Sequence, residues 1–398
     1  MIDSLKIYIK ECIIIFLRLF IRPKKSIVMF SGFRGEYSDN PKYIAEKLHE
    51  LSKEIEIYWA LGSPNECINI KDIPEYVHVM YTNTFDYFCT VNRAAVLIDN
   101  YYGFFLSEHP TRHDWRMKNK RQYNISTWHG TPLKCIGADA KDTTFENVIF
   151  SSSDLVIAGC QYTKEKLYSA YISHFNEPVD IMLIGTPRND ILFKTSQQKQ
   201  KEIKTKLGLP LDKKIVLFAP TFRGDIDNSG IRQLEEINVQ MLLNELSSKL
   251  FGDWVFVFRV HHEVAQNSRM RDIVTKYTNI VFDGNQYSDM AEYLSVCDCL
   301  ITDYSGSLFD FALTKKPCFL YALDLENYAN NERGLYLDIK ELPYSFSNNF
   351  NELIDNIRSY NQELAEKNIV EFLEYIGNVE TGQASEIVVD LIMERLKK

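Results

Sequence analysis

Asn124–Gly137 reads NISTWHGTPLKCIG, a strand end running into an abrupt turn. Asn124–Thr127 closes the strand, and Trp128–Pro132 leaves it. A histidine between Trp128 and Gly130 at a strand's carboxyl edge stands where open α/β sheets place ligands and chemistry. Gly130 permits close approach of a substrate or backbone, and Pro132 stiffens the exit. Histidine is also the side chain whose unperturbed pKa suits proton transfer near neutral pH. A lone strand-end histidine is most commonly structural, so its weight comes from the rest of the chain.

Upstream, Ser26–Ser31 (SIVMFS) is a short buried strand broken by Gly32–Gly35, and a helix follows from Asp39 or Asn40 to about Leu51. Further strands are expected at Glu56–Leu61, Val77–Met80, Ala95–Asp99, Gln122–Thr127 and Leu155–Ala158, with a helix at Tyr162–Tyr171. Alternation of this kind argues for a parallel sheet covered on both faces. This half ends at Ile181–Asp190, IMLIGTPRND. His109 and His113 are spaced like metal ligands, but Pro110 opposes a helix there and no third ligand is apparent.

Phe193–Asp212 is polar and reads as a linker with a short helix. A second α/β half opens with the strand Lys214–Phe218, running into Ala219–Gly224. Trp254–Val260 (WVFVFRV) delivers Arg259, His261 and His262 at its end; on a strand Arg259 and His261 share a face and His262 opposes them. A helix at Ser288–Val296 precedes the strand Cys299–Thr302, then Asp303-Tyr304-Ser305-Gly306-Ser307 opens a helix to about Leu313, and Pro317–Tyr321 begins the next strand. Strand, Ser/Gly turn and helix start together suit a phosphate, with Arg259 and His261 adding positive charge. The commoner fate of such a turn is a plain N-cap serine. Asp225-Ile226-Asp227 resembles a metal-binding DxD but sits in a polar loop, and GxSxG, P-loop and GxGxxG motifs are absent.

The 398 residues predict two or three domains of ordinary globular composition, and the net charge of -9 gives no support to nucleic-acid binding. Eight scattered cysteines form no zinc motif and read as reduced thiols. Residues 2–21 are apolar but interrupted by charges. On a helical wheel Asp3, Lys6, Lys10, Glu11, Arg18 and Arg22 share one arc, with Ile2, Leu5, Ile9, Ile13, Phe16 and Phe20 opposite. Through Lys25 the segment holds six basic and two acidic residues, a net +4, against -13 for the remainder. That asymmetry predicts a helix lying on an anionic membrane surface, with Arg22, Lys24 and Lys25 at the headgroups. The competing expectation is a helix packed on the protein's own core. No small-residue cleavage pattern follows it, so a signal peptide is not expected.

Five motifs in order, WHGT (Trp128–Thr131), GTPRND (Gly185–Asp190), APTFR (Ala219–Arg223), FRVHH (Phe258–His262) and ITDYSGSLFDFA (Ile301–Ala312), resemble the CDP-glycerol glycerophosphotransferase family of teichoic-acid enzymes. The resemblance implies an α/β GT-B architecture of two Rossmann-like domains facing a cleft. The corresponding division is an amphipathic helix (1–25), an acceptor-side domain (26–192), a CDP-alditol-binding domain (210–345) and carboxyl-terminal helices (346–398). It implies transfer of an alditol phosphate from CDP-glycerol or CDP-ribitol to a hydroxyl of an undecaprenyl-diphosphate-linked saccharide, with release of CMP. The short amphipathic start is more like the family's primases than its polymerases, and places the enzyme peripherally on the cytoplasmic face of the cell membrane. His129 falls on the family's proposed base, with His261 a second catalytic candidate. Arg259, His261, Ser305, Gly306 and Ser307 fall on the donor-phosphate motifs. Gly306 replaces a serine found in many members, removing one phosphate hydrogen bond. Trp128, Gly130, Thr131, Arg188, Thr221, Arg223 and Asp303 complete the cleft. This cation set can act without a metal, and the sequence leaves open Mg²⁺ travelling with the diphosphate. The competing readings are a poly(glycerol/ribitol phosphate) polymerase or capsule transferase of the same family, a nucleotide-sugar glycosyltransferase on the same fold, and a silent binding module.

Overall fold

Continuous apolar runs such as Ile27–Phe30, Ile215–Ala219 and Trp254–Phe258 can be buried only between layers, and they form the central strands of two all-parallel sheets. The computed structural model describes residues 9, 12–13, 16–62, 70–82, 84–101, 104, 118–141, 149–176, 179–221, 231–260, 275–325 and 334–397. The first sheet contains β1 (Lys24–Ser31), β2 (Glu56–Leu61), β3 (Val77–Tyr81), β4 (Ala94–Asp99), β5 (Tyr123–Ser126), β6 (Leu155–Ala158) and β7 (Asp180–Leu183). The second contains β8 (Lys214–Ala219), β9 (Trp254–Phe258), β10 (Val281–Asp283), β11 (Cys299–Thr302), β12 (Cys318–Tyr321) and β13 (Ser345–Ser347). Their orders are β3-β2-β1-β4-β5-β6-β7 and β10-β9-β8-β11-β12-β13. Both are doubly wound Rossmann-like sheets, reversing between β1 and β4 and between β8 and β11. Ligands bind beyond the carboxyl ends of strands at such reversals.

Helix Asp39–Leu51 covers one face of the first sheet through Ile44, Ala45 and Leu48. The last helix, Ala384–Lys397, joins that same core with Val388, Val389, Ile392 and Leu396. Helix Phe350–Ser359 instead packs Leu353, Ile354 and Ile357 on the second sheet. The carboxyl-terminal helices therefore serve both domains, and the chain ends on the domain where it began.

Two differences from the sequence reading bear on the site. The strand expected to run to Val260 ends at Phe258: Arg259 still donates its N–H to the Phe218 carbonyl, but Val260 N–H turns to Asn285 Oδ1 at 3.0 Å. Strand alternation therefore does not carry past Arg259, and the same-face argument for Arg259 and His261 loses its basis. His261, His262, Arg223, the pair His109 and His113, and Asp225–Asp227 lie outside the described residues.

Near the amino terminus, residues 16–20 are helical. Leu17 is buried against the first domain, with Ile13 and Ile21 packed beside it. Phe16, Leu19 and Phe20 are 61%, 73% and 71% exposed, and Ile9 is 50% exposed. Arg18, expected on the solvated arc, turns inward and donates to the Lys118 carbonyl at 3.3 Å.

Candidate active site

The loop after β5 is held in a conformation that its sequence would not adopt alone. Trp128 has φ +52°, costly for a residue with a Cβ, and Gly130 has φ +130°. Asn40 over-determines the turn, its side-chain amide donating to the Thr127 and Trp128 carbonyls at 3.1 and 3.0 Å. The Trp128 ring is buried against Phe150 and Tyr171, which leaves His129 to face outward. Its Nδ1 lies 2.9 Å from the Asn100 carbonyl oxygen at the end of β4. A carbonyl only accepts, so Nδ1 carries the hydrogen and Nε2 of the neutral ring is the basic nitrogen. Nε2 has no hydrogen-bond partner among the described residues. The inner side of the imidazole lies on the Trp128 ring, 4.0 Å away between centroids, and desolvation by the neighbouring protein lowers its pKa, opposed by the Asn100 carbonyl and Asp39 and assisted by Arg188. The imidazole is thus kept neutral, as a base should be.

Across the cleft, the turn after β11 meets this loop. A Cβ at Gly306 would lie 2.8 Å from the Thr131 carbonyl oxygen, so glycine is what lets the two domains' loops touch. Ser305 Oγ accepts from Ser307 N at 3.3 Å and from Ser307 Oγ at 2.9 Å, opening the short helix Ser307–Ala312. Asp303 is buried and clamps the loop after β8: its Oδ1 accepts from Thr221 N (2.8 Å), Thr221 Oγ1 (2.6 Å) and Tyr304 N (2.6 Å).

Arg259 is placed differently from a free anion-binding arginine. Its Nη1 donates to the carbonyls of Gly284, at 2.8 Å, and Tyr287, and its Nη2 donates to Ser288 O at 2.5 Å. In this arrangement it orders the loop entering helix Met290–Val296, and burial lowers its pKa. That loop bears Asp289, which with Glu292 accepts from Lys42 Nζ of the first domain at 2.6 and 2.5 Å. All three side chains are buried, and Asp289, foremost among the nearby acids, overcomes the cost of burial to hold the Lys42 ammonium above its ordinary pKa.

The GTPRND motif is a junction between domains. Arg188 donates to Asp39 Oδ1 (2.8 Å), to the His129 carbonyl (2.7 Å) and, through Nε and Nη2, to Asp310 Oδ2 (3.2 and 2.7 Å). Asn189 bridges Asp310 Oδ1 and Glu380 Oε1 at 3.1 and 3.2 Å, while Asp190 caps the last helix at Ala384 and Ser385. Burial pushes the Glu380 carboxyl up to about 7. Asp39, Asn40, Asn100 and Glu380 are the site residues that motif reading missed. The one available signal was Asn100, which follows an apolar strand as His129 does. Among the described residues, no group of three or more His, Cys, Asp or Glu is arranged to hold a metal ion.

A family model described as CDP-Glycerol:Poly(glycerophosphate) glycerophosphotransferase matches residues 13–394. The chain is 30% identical over 396 residues to the teichoic acid poly(glycerol phosphate) polymerase of Staphylococcus epidermidis, covering 95% of this chain but only about half, 52%, of that protein. It is 30% identical over 393 residues to the teichoic acid glycerol-phosphate transferase of Staphylococcus aureus, covering 94% of each. Among solved structures, the wall teichoic acid polymerase TagF superposes with a TM-score of 0.79 at 27% identity, covering 100% of this chain and 96% of the other.

Proposed function

Because this chain belongs to the CDP-glycerol:poly(glycerophosphate) glycerophosphotransferase family, we propose that it transfers glycerol phosphate from CDP-glycerol to a hydroxyl of a lipid-linked saccharide, releasing CMP. The observation that carries this reading is His129: a neutral imidazole with Nε2 unengaged among the described residues, on a loop in contact with the Ser305–Ser307 turn. In the transfer, the acceptor oxygen attacks the β-phosphorus in line. Its proton passes to His129 Nε2, and the bond from that phosphorus to the bridging oxygen breaks, so the electron pair leaves on CMP. CMP is a good leaving group, which makes neutralisation of phosphate charge the larger demand. Ser305 and Ser307 with the helix start, together with Arg259 and His261, meet it in this reading. In the structure Arg259 holds the carbonyls of Gly284, Tyr287 and Ser288 through Nη1 and Nη2, which leaves Nε–H and one Nη2–H outside those three bonds.

The acceptor is presented at a membrane on whose anionic, cytoplasmic surface the enzyme lies. No described helix is long and apolar enough to cross a bilayer. The outward Ile9, Phe16, Leu19 and Phe20, with Arg22, Lys24 and Lys25 after them, support surface attachment. The test is to incubate the protein with CDP-glycerol, CDP-ribitol and an undecaprenyl-diphosphate disaccharide and weigh the products. CMP and a phosphodiester-linked glycerol are expected. A parallel incubation with nucleotide sugars in place of the CDP-alditols is expected to leave the acceptor unmodified; a nucleoside diphosphate and a glycoside there, with no product from CDP-glycerol, would replace this reading with the glycosyltransferase one.

A further inference from the structure

The Asp39 carboxylate is connected to both ends of His129. Its Oδ2 accepts from Nδ2 of Asn100 at 2.8 Å, and Asn100 is the residue whose carbonyl faces His129 Nδ1. Its Oδ1 accepts from Arg188 Nη1 at 2.8 Å, and that same nitrogen donates to the His129 carbonyl at 2.7 Å. Asp39 itself sits at φ +60°, a left-handed conformation that L side chains adopt at a cost. Starting the helix does not require that conformation of Asp39, since the extended Ser38 precedes it as N-cap. What it accompanies here is a carboxylate that takes the Asn40 N–H at 2.8 Å and also reaches Asn100, just beyond β4, and Arg188 of the GTPRND loop.

We propose that Asp39 is a positioning residue for His129: it fixes the Asn100 main chain that takes the Nδ1 hydrogen and the Arg188 side chain that holds the His129 main chain, so that Nε2 faces the acceptor hydroxyl. The proposal rests on His129 being the proton acceptor. The charged groups acting on the ring are Asp39 and Arg188, with the Tyr101 ring edge-on at 5.3 Å. Asp310 acts at one remove, through Arg188. As the imidazole takes a proton, Asp39 stabilises the cation and Arg188 opposes it, so the pair also sets how readily the proton is accepted.

Asp39→Asn is the discriminating variant, because asparagine has nearly the same shape and tolerates positive φ. Histidine NMR of the ligand-free protein, with the His129 resonance assigned by its loss in His129→Ala, reads the ring directly. In Asp39→Asn the His129 pKa should move further down, kcat should fall at least about tenfold, and KM for CDP-glycerol should change less than about twofold. Asn100→Leu breaks the same link from the other side. It takes the Nδ2–H donor away from Asp39 Oδ2 while keeping the residue 100 carbonyl, and it should lower kcat in the same way. On a His129→Ala background Asp39→Asn should cost nothing more. An unmoved His129 titration, or an equal loss on that background, overturns the proposal. Near-normal turnover of His129→Ala alone would instead remove the proton-acceptor reading, and the titration would still decide whether Asp39 controls the ring.

Discussion

At Trp128 and Gly130 the backbone turns through positive φ twice in three residues, and Asn40 holds the entry of the turn at the Thr127 and Trp128 carbonyls. The histidine between them therefore comes preset, at a cost carried by the fold. His129→Ala should leave folding and CDP-glycerol affinity intact while lowering turnover by at least about 10²-fold, the lower range for loss of a general base; isothermal titration beside steady-state kinetics separates the two. Since its pKa is lowered, mainly by desolvation, the acid limb of kcat/KM should fall below the ordinary histidine value of about 6.5. A limb above that value would contradict the assignment. His129 was legible because motif and strand end coincide. Its partners Asp39 and Asn100 were not, because nothing local shows that residues 61 positions apart share a hydrogen bond. Arg259 shows the converse: the strand pattern located it, but only the fold reveals that three carbonyls hold it.

Between elements, two close approaches set the cleft. Gly306 abuts the Thr131 carbonyl, so Gly306→Ser must force the two loops apart. Overpacking of this kind costs about 1–3 kcal/mol, and urea unfolding should show the loss together with reduced turnover; a neutral result would mean that the loops are not pressed together. Behind the site, Glu380 is a pH-dependent joint. Its folded pKa of about 7 lies above the ordinary 4.5, so the folded state binds more protons between those values. Its contribution is complete below pH 4.5 and is lost as the pH rises through 7. Glu380→Gln should therefore gain stability over the parent between pH 5 and pH 8, by up to about 3 kcal/mol; melting curves at the two pH values check the sign. Long apolar strands were readable because burial on both faces leaves continuous runs. The three-residue β10 and β13 are too short to show a period, and an amphipathic helix such as Ala384–Lys397 does not name the sheet it covers.

Over the whole molecule, the first domain brings the histidine, the second brings the serine turn, and Arg188 on Asp310 and Lys42 on Asp289 and Glu292 tie the two together. The two-domain α/β order was readable from alternation alone; the buried ties were not, because a charged residue in sequence reads as solvated. On the outer surface, removing residues 1–22 should release the protein from anionic vesicles. Since the deletion also takes Leu17 from the first-domain core, the sparing of transfer to a short soluble acceptor is to be read in the Phe16→Asp, Phe20→Asp protein, which keeps Leu17. Phe16→Asp with Phe20→Asp should be as damaging to vesicle binding as the deletion. Salt should weaken the parent's binding without abolishing it, because screening removes the Lys/Arg attraction and spares apolar burial. Flotation of the three forms at low and high salt checks this, and a truncated protein that still floats would place the anchor elsewhere. The most direct test of the whole account is mass spectrometry of the products formed from CDP-glycerol and an undecaprenyl-diphosphate disaccharide by the parent and His129→Ala proteins. The account predicts CMP and a glycerol-phosphodiester saccharide from the parent and almost none from the variant. An unmodified acceptor with the parent, or equal product from both, would contradict it.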